Sequence, residues 1–422
     1  MEKEMRKQKL KELQEGDANV VMTGIPLRYK GSTRQMKVFK IPLDCLVYNK
    51  HNGRIASLTM SYEKQNGTLN PELDADKKII ANFLWDSKKD RNQTTLDNLK
   101  EHQQQRYGIV TADGIIIDGN RRAMLLNKLR KQGVDHAEYF LAIILPEDAT
   151  DKEINKLEAM YQMGEDDKLD YKPIEKYLKC RQLKLSGFNE KEIAKFMAVK
   201  DTDIVEWLAV LDLMDKYLKE YGYEGMYTRL PEESFTSFVE LNKFLSSYRK
   251  AGANVEGMNW NPTEADLNEL RVIFFDYIRA EVDVREVREI ARTGQAGSIF
   301  FYEDMWAHFK NNHKTVEEKE VDELRAEKTD IDLDIILKNR DAEWRKKVAS
   351  EFKENVGRQK KRLENKRDEN KPHLLIRRAL DALEQVDIDG AGFISEDTIP
   401  DMVRRINTIV WEMKKRVDKL KR

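Results

Sequence analysis

The chain has 422 residues, which is too long for one ordinary domain, so we expect about two to four. Charged residues make up 36% and hydrophobic residues 40%, which argues against a disordered chain. No apolar run approaches the roughly 18 residues of a membrane span, and residues 1–15 lack the apolar core of a signal peptide. The chain is therefore not expected to have a membrane partner. The two cysteines, Cys45 and Cys180, show no sign of pairing and indicate a reducing, cytoplasmic compartment.

The net charge of −1 conceals an uneven distribution of charged residues. Residues 147–171 hold nine acidic and three basic residues, whereas residues 340–378 hold fourteen basic and seven acidic ones. Residues 401–422 hold eight basic and three acidic residues. The basic segments could meet an anionic polymer such as DNA, although a solvated helix surface explains any single charge run more simply.

The first hundred residues predict an arm, a strand and two helices. Residues 1–35 are typical of a flexible N-terminal arm that could include one short helix, and the apolar pattern of residues 36–46 predicts a strand. Residues 49–75 are rich in Asn, Gly, Lys and Ser and indicate a loop insertion. Helices are predicted over residues 77–86 and 95–104.

A hairpin and a helix follow. Two short apolar runs, residues 107–110 and 115–117, are joined by a turn that ends at Gly114, a residue suited to a positive φ angle. A helix is predicted over residues 121–131 and another strand over residues 139–145.

Helical signals dominate from Thr150 onward. Thr150 and Glu153 fit a capping box, and Pro173 suits the first position of a later helix that Gly187 would end. The sequence therefore predicts a small sheet-containing domain followed by helices.

The turn after the second hairpin strand is a candidate anion site. Asp118, Gly119 and Asn120 lead from a buried strand directly into a helix, whose first N–H groups attract anions. Arg121 and Arg122 then occupy the first helical turn, where each cation opposes the helix dipole at a cost of about 0.3–1 kcal/mol. A bound anion would explain this arrangement, and so would a salt bridge to Asp118.

Residues 114–123, Gly-Ile-Ile-Ile-Asp-Gly-Asn-Arg-Arg-Ala, resemble the arginine-rich box of ParB/sulfiredoxin-like domains. In that family a strand ends in a Gly-x-Arg-Arg or Gly-x-His-Arg turn that grips nucleotide phosphates. Three further features occur in the order expected for the family. Ile41-Pro42-Leu43-Asp44 with Asn49, Asn52 and Arg54 resembles its opening strand and the box that follows it. The helix and strand predicted over 95–104 and 107–110 resemble those before its hairpin, and Pro173-Ile174-Glu175 resembles the start of the first helix after the domain. The resemblance covers about residues 36–215 and is that of a divergent member.

The chain also departs from the family's pattern. Asn120 stands where sulfiredoxins carry cysteine, so reduction of a sulfinic acid is not expected. Asn120 also replaces the usual Glu of partitioning ParB proteins, and Met124 replaces a later Arg. Glu158 and Gln162 lie near the expected phosphate motif but with different spacing, so a purely structural role for them is an alternative.

The resemblance implies a nucleoside triphosphate, CTP or ATP, bound with Mg²⁺. No metal site of the protein itself is expected, because His308 and His313 are five residues apart and no cysteine lies near them. Asp118 is a candidate general base or metal ligand, and helix capping is its alternative role. The candidate nucleotide and phosphate ligands are Gly119, Asn120, Arg121, Arg122, Asn52, Arg54, Glu158 and Gln162.

Residues 189–210 fit a helix–turn–helix pattern, the element with which ParB proteins read DNA. Lys200 and Thr202 are the candidate DNA contacts. Asp201, Asp203 and Glu206 would repel phosphates, so contact with a protein through residues 200–215 is the alternative.

The C-terminus carries an apolar seam with 4-3-4-3-4-3 spacing, typical of a coiled coil. Its residues are Ile399, Val403, Ile406, Val410, Met413, Val417 and Leu420. The seam over residues 399–420 predicts a homodimer, and an intramolecular hairpin against residues 374–386 is the alternative.

The predicted fold class is α+β, a small ParB/sulfiredoxin-like mixed α/β domain followed by helices. The predicted divisions are an arm at 1–35, a nucleotide-binding domain at 36–149, an HTH-like domain at 150–222, a helical domain at 223–312, a charged helical linker at 313–371 and a dimerisation segment at 372–422.

The resemblance implies a nucleotide-binding protein that acts in DNA partition, in a mobile element or in phage defence. The bound nucleotide, which could be hydrolysed slowly, would control whether the protein dimerises or engages DNA. A ParB-like nuclease or nucleotide-dependent enzyme, and a helical interaction factor with a degenerate domain, are the alternatives.

Overall fold

A computed structural model describes residues 1–163, 171–251, 255, 257–294, 297–316, 318–327 and 332–420. A five-stranded mixed sheet near the N-terminus is followed by helices, so the fold is α+β as predicted. The chain divides into two compact units, Met1–Gln359 and Lys360–Arg422. No described helix is both long enough and apolar enough to cross a membrane.

The sheet and its helices occupy the first third of the chain. The strands are β1 Val20–Tyr29, β2 Ser32–Pro42, β3 Gly108–Val110, β4 Ile116–Asp118 and β5 Tyr139–Ile144. The helices in this part are α1 Lys3–Glu15, α2 Ala56–Asn66, α3 Asp74–Asp86, α4 Lys89–His102 and α5 Asn120–Lys131.

The sheet has the order β1-β2-β5-β3-β4 and is antiparallel except between β3 and β5. Because side chains alternate along a strand, Phe39 faces a core shared with α3, α4 and α5, whereas Val38 faces the other side. On that second side Leu157 of the following helix completes a smaller core. The predicted hairpin is confirmed, with Gly114 at φ +85°.

Residues 1–35 contain α1, β1 and the start of β2, so the short helix expected there is present but the flexible arm is not. Leu10 of α1 and Leu27 of β1 are fully buried in the two cores. Arg6 is also buried, and it donates hydrogen bonds to the carbonyl of Asp113, 2.5 Å away, and to Glu72, 2.7 Å away. These partners are distant in sequence, which is why the local pattern did not reveal them.

The predicted loop insertion over residues 49–75 was wrong in part, because it contains α2. This helix buries small polar side chains, Ser57, Thr59 and Ser61, rather than an apolar stripe. No residue of its own N-terminal segment caps it. Its sequence therefore lacks both local signals by which a helix is normally predicted.

The helical region begins after the sheet. Its helices in the first unit are α6 Asp151–Met163, α7 Pro173–Leu185, α8 Glu190–Met197, α9 Asp201–Glu220, α10 Phe235–Ala251, α11 Glu264–Arg279, α12 Val284–Val287, α13 Glu303–Asn311 and α14 Val321–Glu327. Thr150 accepts a hydrogen bond from the Glu153 N–H, and Pro173 starts α7 as predicted. Asn189 and Glu192 form the predicted capping box of α8.

The last helices are α15 Leu333–Glu384, α16 Ala391–Ser395 and α17 Ile399–Leu420. Residues 313–371, predicted as a charged linker, include the start of α15, whose Trp344, Val348 and Phe352 are buried. Residues 317 and 328–331 of that predicted linker lie outside the described part of the chain. The start of α15 is therefore packed structure and not a solvated connection.

Asp341 of α15 anchors a buried charged network. Its carboxylate accepts hydrogen bonds from Arg229, from Arg279 at 2.7 Å and from Tyr223. Burial alone would raise the pKa of Asp341, but Arg279 and the Tyr223 hydrogen bond hold that pKa below its ordinary value. The network ties α15 to the segment around Tyr223 and to α11.

We expect Asp341→Asn to lower the free energy of unfolding by about 3 kcal/mol, because it leaves Arg229 and Arg279 buried beside a neutral group. Denaturant unfolding of the full chain measures this change. Lys216→Met breaks an exposed ion pair with Asp212 and should cost less than about 1 kcal/mol. A cost for Asp341→Asn no larger than that of the control would contradict the anchoring role.

Candidate functional site

A cavity of about 830 Å³ lies where the β4–α5 turn meets the loop before α2, the start of α4 and the end of α6. This volume is within the range of small-molecule sites. Its lining residues are Met22, Asn52, Arg54, Arg91, Thr94, Thr95, Gln105, Arg106, Tyr107, Asp118, Gly119, Asn120, Arg121, Arg122, Tyr161 and Gln162.

Gly119 makes the sharp turn from β4 into α5. Its φ angle is +99°, in the left-handed region where a side chain is strained. A Cβ atom at this position would also lie 2.6 Å from the Phe140 ring. Both constraints require glycine, and they place the N-terminus of α5 at the cavity.

Asn120 holds two walls of the cavity together. Its side-chain oxygen accepts a hydrogen bond from the Asn49 N–H, and its amide nitrogen donates to the carbonyl of Ile116, both at 2.9 Å. The side chain is buried, with 3% exposed. Asn120 therefore positions the loop before α2 against β4, and this is its main structural contribution to the site.

Arg122 is held in place by several acceptors. Its guanidinium lies 2.6 Å from the Asp118 carboxylate and donates to the carbonyls of Arg106 and Tyr107. The ion pair that the sequence offered as an alternative to anion binding is thus present. Asp118 does not cap α5. Its carboxylate lines the cavity and is engaged by Arg122.

Arg121 points to the other side of the turn, toward α4. Its Nε donates a hydrogen bond of 2.7 Å to Asn92, which is completely buried. Asn92 in turn donates to the carbonyls of Leu84 and Trp85. This series of hydrogen bonds orients Arg121, which remains one of the residues that line the cavity.

Asn52 and Arg54 both line the cavity, as the sequence predicted of ligand residues. The Asn52 side chain is buried and accepts a hydrogen bond from the Arg54 N–H at 3.1 Å. The Arg54 guanidinium lies 4.5 Å from the centre of the Tyr171 ring, in a cation–π contact. Asn52 thus shapes the loop from which Arg54 reaches the cavity.

Gln162 and Glu158 project from α6 and have different positions. Gln162 lines the cavity and donates to the carbonyl of Ile117 at 2.6 Å. Glu158 is not among the lining residues. It is 1% exposed, pairs with the equally buried Lys179 at 2.6 Å, and accepts a hydrogen bond from the Gly53 N–H. Glu158 therefore supports the loop behind the cavity wall.

The first two turns of α4 add residues that the sequence did not identify as part of the site. Arg91, Thr94 and Thr95 line the cavity, and Arg106 lines it from the segment after α4. The only local signal was that residues 91, 94 and 95 share one helical face, since they are three and four positions apart. Their approach to the β4–α5 turn depends on tertiary packing.

The described lining is strongly cationic. It contains five guanidinium groups and one carboxylate, Asp118, so its formal charge is 5 − 1 = +4. Arginine matches phosphate oxygens through paired N–H donors. Within the described residues, no group of three or more His, Cys, Asp and Glu side chains could hold a metal ion.

The candidate DNA contacts, Lys200 and Thr202, are exposed at the beginning of α9 and do not line the cavity. The neighbouring carboxylates organise that helix end. Asp203 accepts a hydrogen bond from the Lys200 N–H at 3.1 Å, and Asp201 accepts one from the Thr202 N–H. This helix start therefore presents negative charge.

No model of a known protein family matches the chain, and no curated protein sequence matches it either.

Glu175 of α7 caps α2 from outside that helix. It accepts hydrogen bonds from the Ser57 N–H at 3.2 Å and from the Ser57 hydroxyl at 2.5 Å. Burial raises the pKa of Glu175 to about 7, although the Ser57 hydrogen bonds and Lys172 act in the opposite direction. The helical region thus fixes the start of α2, directly after the loop that carries Arg54.

We expect Glu175 to make the protein less stable as pH rises from about 4.5 to 7, because its folded-state pKa is above its ordinary value. Relative to Glu175→Gln, the wild-type free energy of unfolding should fall by about 3 kcal/mol across that window. Denaturant unfolding at about pH 4 and pH 8 measures the difference.

Glu190→Gln serves as the control for this pH effect. Its hydrogen bond with Lys184 lowers the pKa of half-buried Glu190, so the difference from wild type should change in the opposite direction. An unchanged difference between wild type and Glu175→Gln at the two pH values would contradict the raised pKa.

Proposed function

We propose that this protein binds a nucleoside triphosphate with Mg²⁺ in the arginine-lined cavity, and that the bound nucleotide controls self-association and engagement of DNA. The single observation that carries the proposal is the +4 charge of the described lining beside the N-terminus of α5. A polyphosphate is a common biological ligand whose negative charge and size both match this cavity.

Three kinds of donor support phosphate binding. Gly119 and the first residues of α5 line the cavity, so a helix N-terminus is available to an anion. Five arginine side chains line the same cavity, and Thr94 and Thr95 add hydroxyl groups. The hydrogen bonds of Arg121 and Arg122 to protein acceptors orient these guanidiniums before ligand arrives, which reduces the entropic cost of binding.

The Mg²⁺ ion would enter with the phosphates. Magnesium commonly keeps several waters and binds through one or two carboxylates together with substrate phosphates. Asp118 is the one carboxylate of the described lining, and it is paired with Arg122. Phosphate oxygens and water would therefore supply most of the Mg²⁺ coordination, and any hydrolysis would be slow because the one carboxylate of the described lining is already engaged by Arg122.

The resemblance of residues 114–123 to the arginine-rich box of ParB/sulfiredoxin-like domains supports the same ligand. In this chain the box comprises β4, the turn and the start of α5, and it contributes Asn120, Arg121 and Arg122 to the cavity. Asn120 is engaged with backbone groups, which is consistent with a positioning role and not with the cysteine chemistry of sulfiredoxins.

Self-association is proposed through α17. Its seam residues Val403, Ile406, Val410, Met413 and Val417 are each between 38% and 53% exposed. Leu375, Ile376, Leu380 and Leu383 of α15, the other half of the alternative hairpin, are also exposed. An exposed heptad seam supports pairing with a second copy, and the side chain of Leu420 lies outside the described residues.

DNA engagement is proposed for the basic C-terminal surface, since residues 401–422 carry eight basic and three acidic residues. The start of α9 favours a second candidate function, binding of a protein partner. Val205 is 57% exposed there, beside Asp201 and Glu206. An exposed apolar side chain among carboxylates suits a protein surface better than a phosphate backbone, and this contact would not require nucleotide.

We expect Arg91→Gln combined with Arg121→Gln to weaken nucleotide binding by about a hundredfold, because two charge-assisted hydrogen bonds to phosphate are lost. Calorimetric titration of ATP, CTP, GTP and UTP with Mg²⁺ measures the affinity. Arg130→Gln combined with Lys131→Gln removes the same charge from the far end of α5, outside the cavity, and should change affinity little. An equal loss in both variants would contradict the site.

We expect Val410→Asp to convert a wild-type dimer into a monomer, because a buried unpaired carboxylate opposes pairing of the seam. Sedimentation equilibrium of the full chain measures the mass. Thr408→Asp adds the same charge on the opposite face of α17 and should leave the dimer intact. A wild-type monomer, or a Val410→Asp dimer of unchanged affinity, would contradict self-association through this helix.

A further inference from the structure

A second cavity, of about 530 Å³, adjoins the arginine-lined one. Arg54 lines both cavities. The corner between α3 and α4 also contributes to both, since Ser87 and Lys88 line the second cavity and Arg91 lines the first. The two spaces are therefore neighbours on either side of Arg54.

The two cavities differ in chemistry. The second has apolar side chains on several sides, from Leu58 of α2, Ile174 of α7, Leu230 and Phe235. Tyr171 and Tyr227 add aromatic rings. Such a wall suits a planar, weakly polar group, whereas the arginine-lined cavity suits a polyanion.

The buried polar groups of the second cavity bind each other. Glu175 and Ser57 both line it, and the Ser57 hydroxyl and N–H donate to the Glu175 carboxylate. Their hydrogen-bonding capacity is largely used within the protein. Asp86, Lys88, Lys172 and Glu232 add charged groups to the lining, and Lys172 pairs with Glu232 at 2.8 Å. The rings and apolar side chains are the part of this wall that suits a planar base.

We propose that one nucleotide occupies both cavities, with its phosphates among the arginines and its base in the second cavity against the tyrosine- and phenylalanine-containing wall. This inference rests on the proposed nucleotide function and adds the location of the base. Arg54 lies at the junction, where its guanidinium already contacts the Tyr171 ring at 4.5 Å and can also face phosphate or ribose oxygens.

The location of the base has a structural consequence. Residues 227–235 belong to the helical region, whereas the phosphate-binding turn belongs to the sheet. The arginine-lined cavity already includes Tyr161 and Gln162 of α6, so a ligand that fills both cavities would add contacts with residues 227–235. Inorganic triphosphate would contact the arginine-lined cavity alone.

Two variants of the full chain test the second cavity. Thr228 is exposed and lines it, so Thr228→Trp fills the space without altering the core. Phe235 is half-buried, and Phe235→Ala removes part of the wall. Thr236→Trp, on an exposed neighbouring position that does not line the cavity, is the matched control. Calorimetry compares inorganic tripolyphosphate with ATP, CTP, GTP and UTP, each with Mg²⁺.

The wild type should bind at least one nucleoside triphosphate about tenfold or more tightly than tripolyphosphate, the gain expected from one stacked base. A loss of that gain in Thr228→Trp or Phe235→Ala, with tripolyphosphate affinity and the control unchanged, supports the proposal. If both variants keep wild-type nucleotide affinity, the base lies elsewhere, and the location of the base is wrong while the proposed nucleotide binding still stands. If wild type binds neither class of ligand, the proposed function fails with it.

Discussion

The site depends on the side chain of Asn120. Its two hydrogen bonds, to the Asn49 N–H and the Ile116 carbonyl, join a loop and a strand that are far apart in sequence. Because the side chain is buried, either bond left unmade would cost about 1–3 kcal/mol, so the two segments are held in one arrangement. Gly119 completes this constraint, since Phe140 leaves no room for a side chain at the turn. The arginines that follow are thus presented from a rigid support.

The helical region completes the cavity through buried polar contacts. Gln162 bonds the carbonyl of Ile117, Glu158 bonds the Gly53 N–H, and Glu175 caps the helix that starts at Ala56. Each contact joins α6 or α7 to backbone beside the cavity. The charged pair of Glu158 with Lys179 is stable when buried only if its geometry is kept, so it specifies how these helices pack. The cavity walls and the packing of α6 and α7 are therefore parts of one structure.

Clustering five guanidinium groups opposes folding through mutual repulsion, and the protein offsets this cost locally. Asp118 neutralises Arg122, the buried Asn92 orients Arg121, and the Tyr171 ring faces Arg54. These partners satisfy the side chains in part and keep them at the cavity wall. The +4 formal charge of the described lining is the physical reason for expecting a polyanion, because a ligand carrying several negative charges would lower the electrostatic energy of this cluster.

The sequence by itself determined the local elements of this protein. The hairpin with Gly114, the turn from Asp118 into α5, and the capping box of Asn189 and Glu192 follow from interactions between residues a few positions apart. Only the tertiary structure decided which side chains share the cavity. Arg91 lines the cavity, Glu158 lies behind its wall, and residues 1–35 contribute side chains to the two cores. The physical reason is that burial and long-range hydrogen bonds pair residues whose separation in the chain leaves no periodic or capping signal.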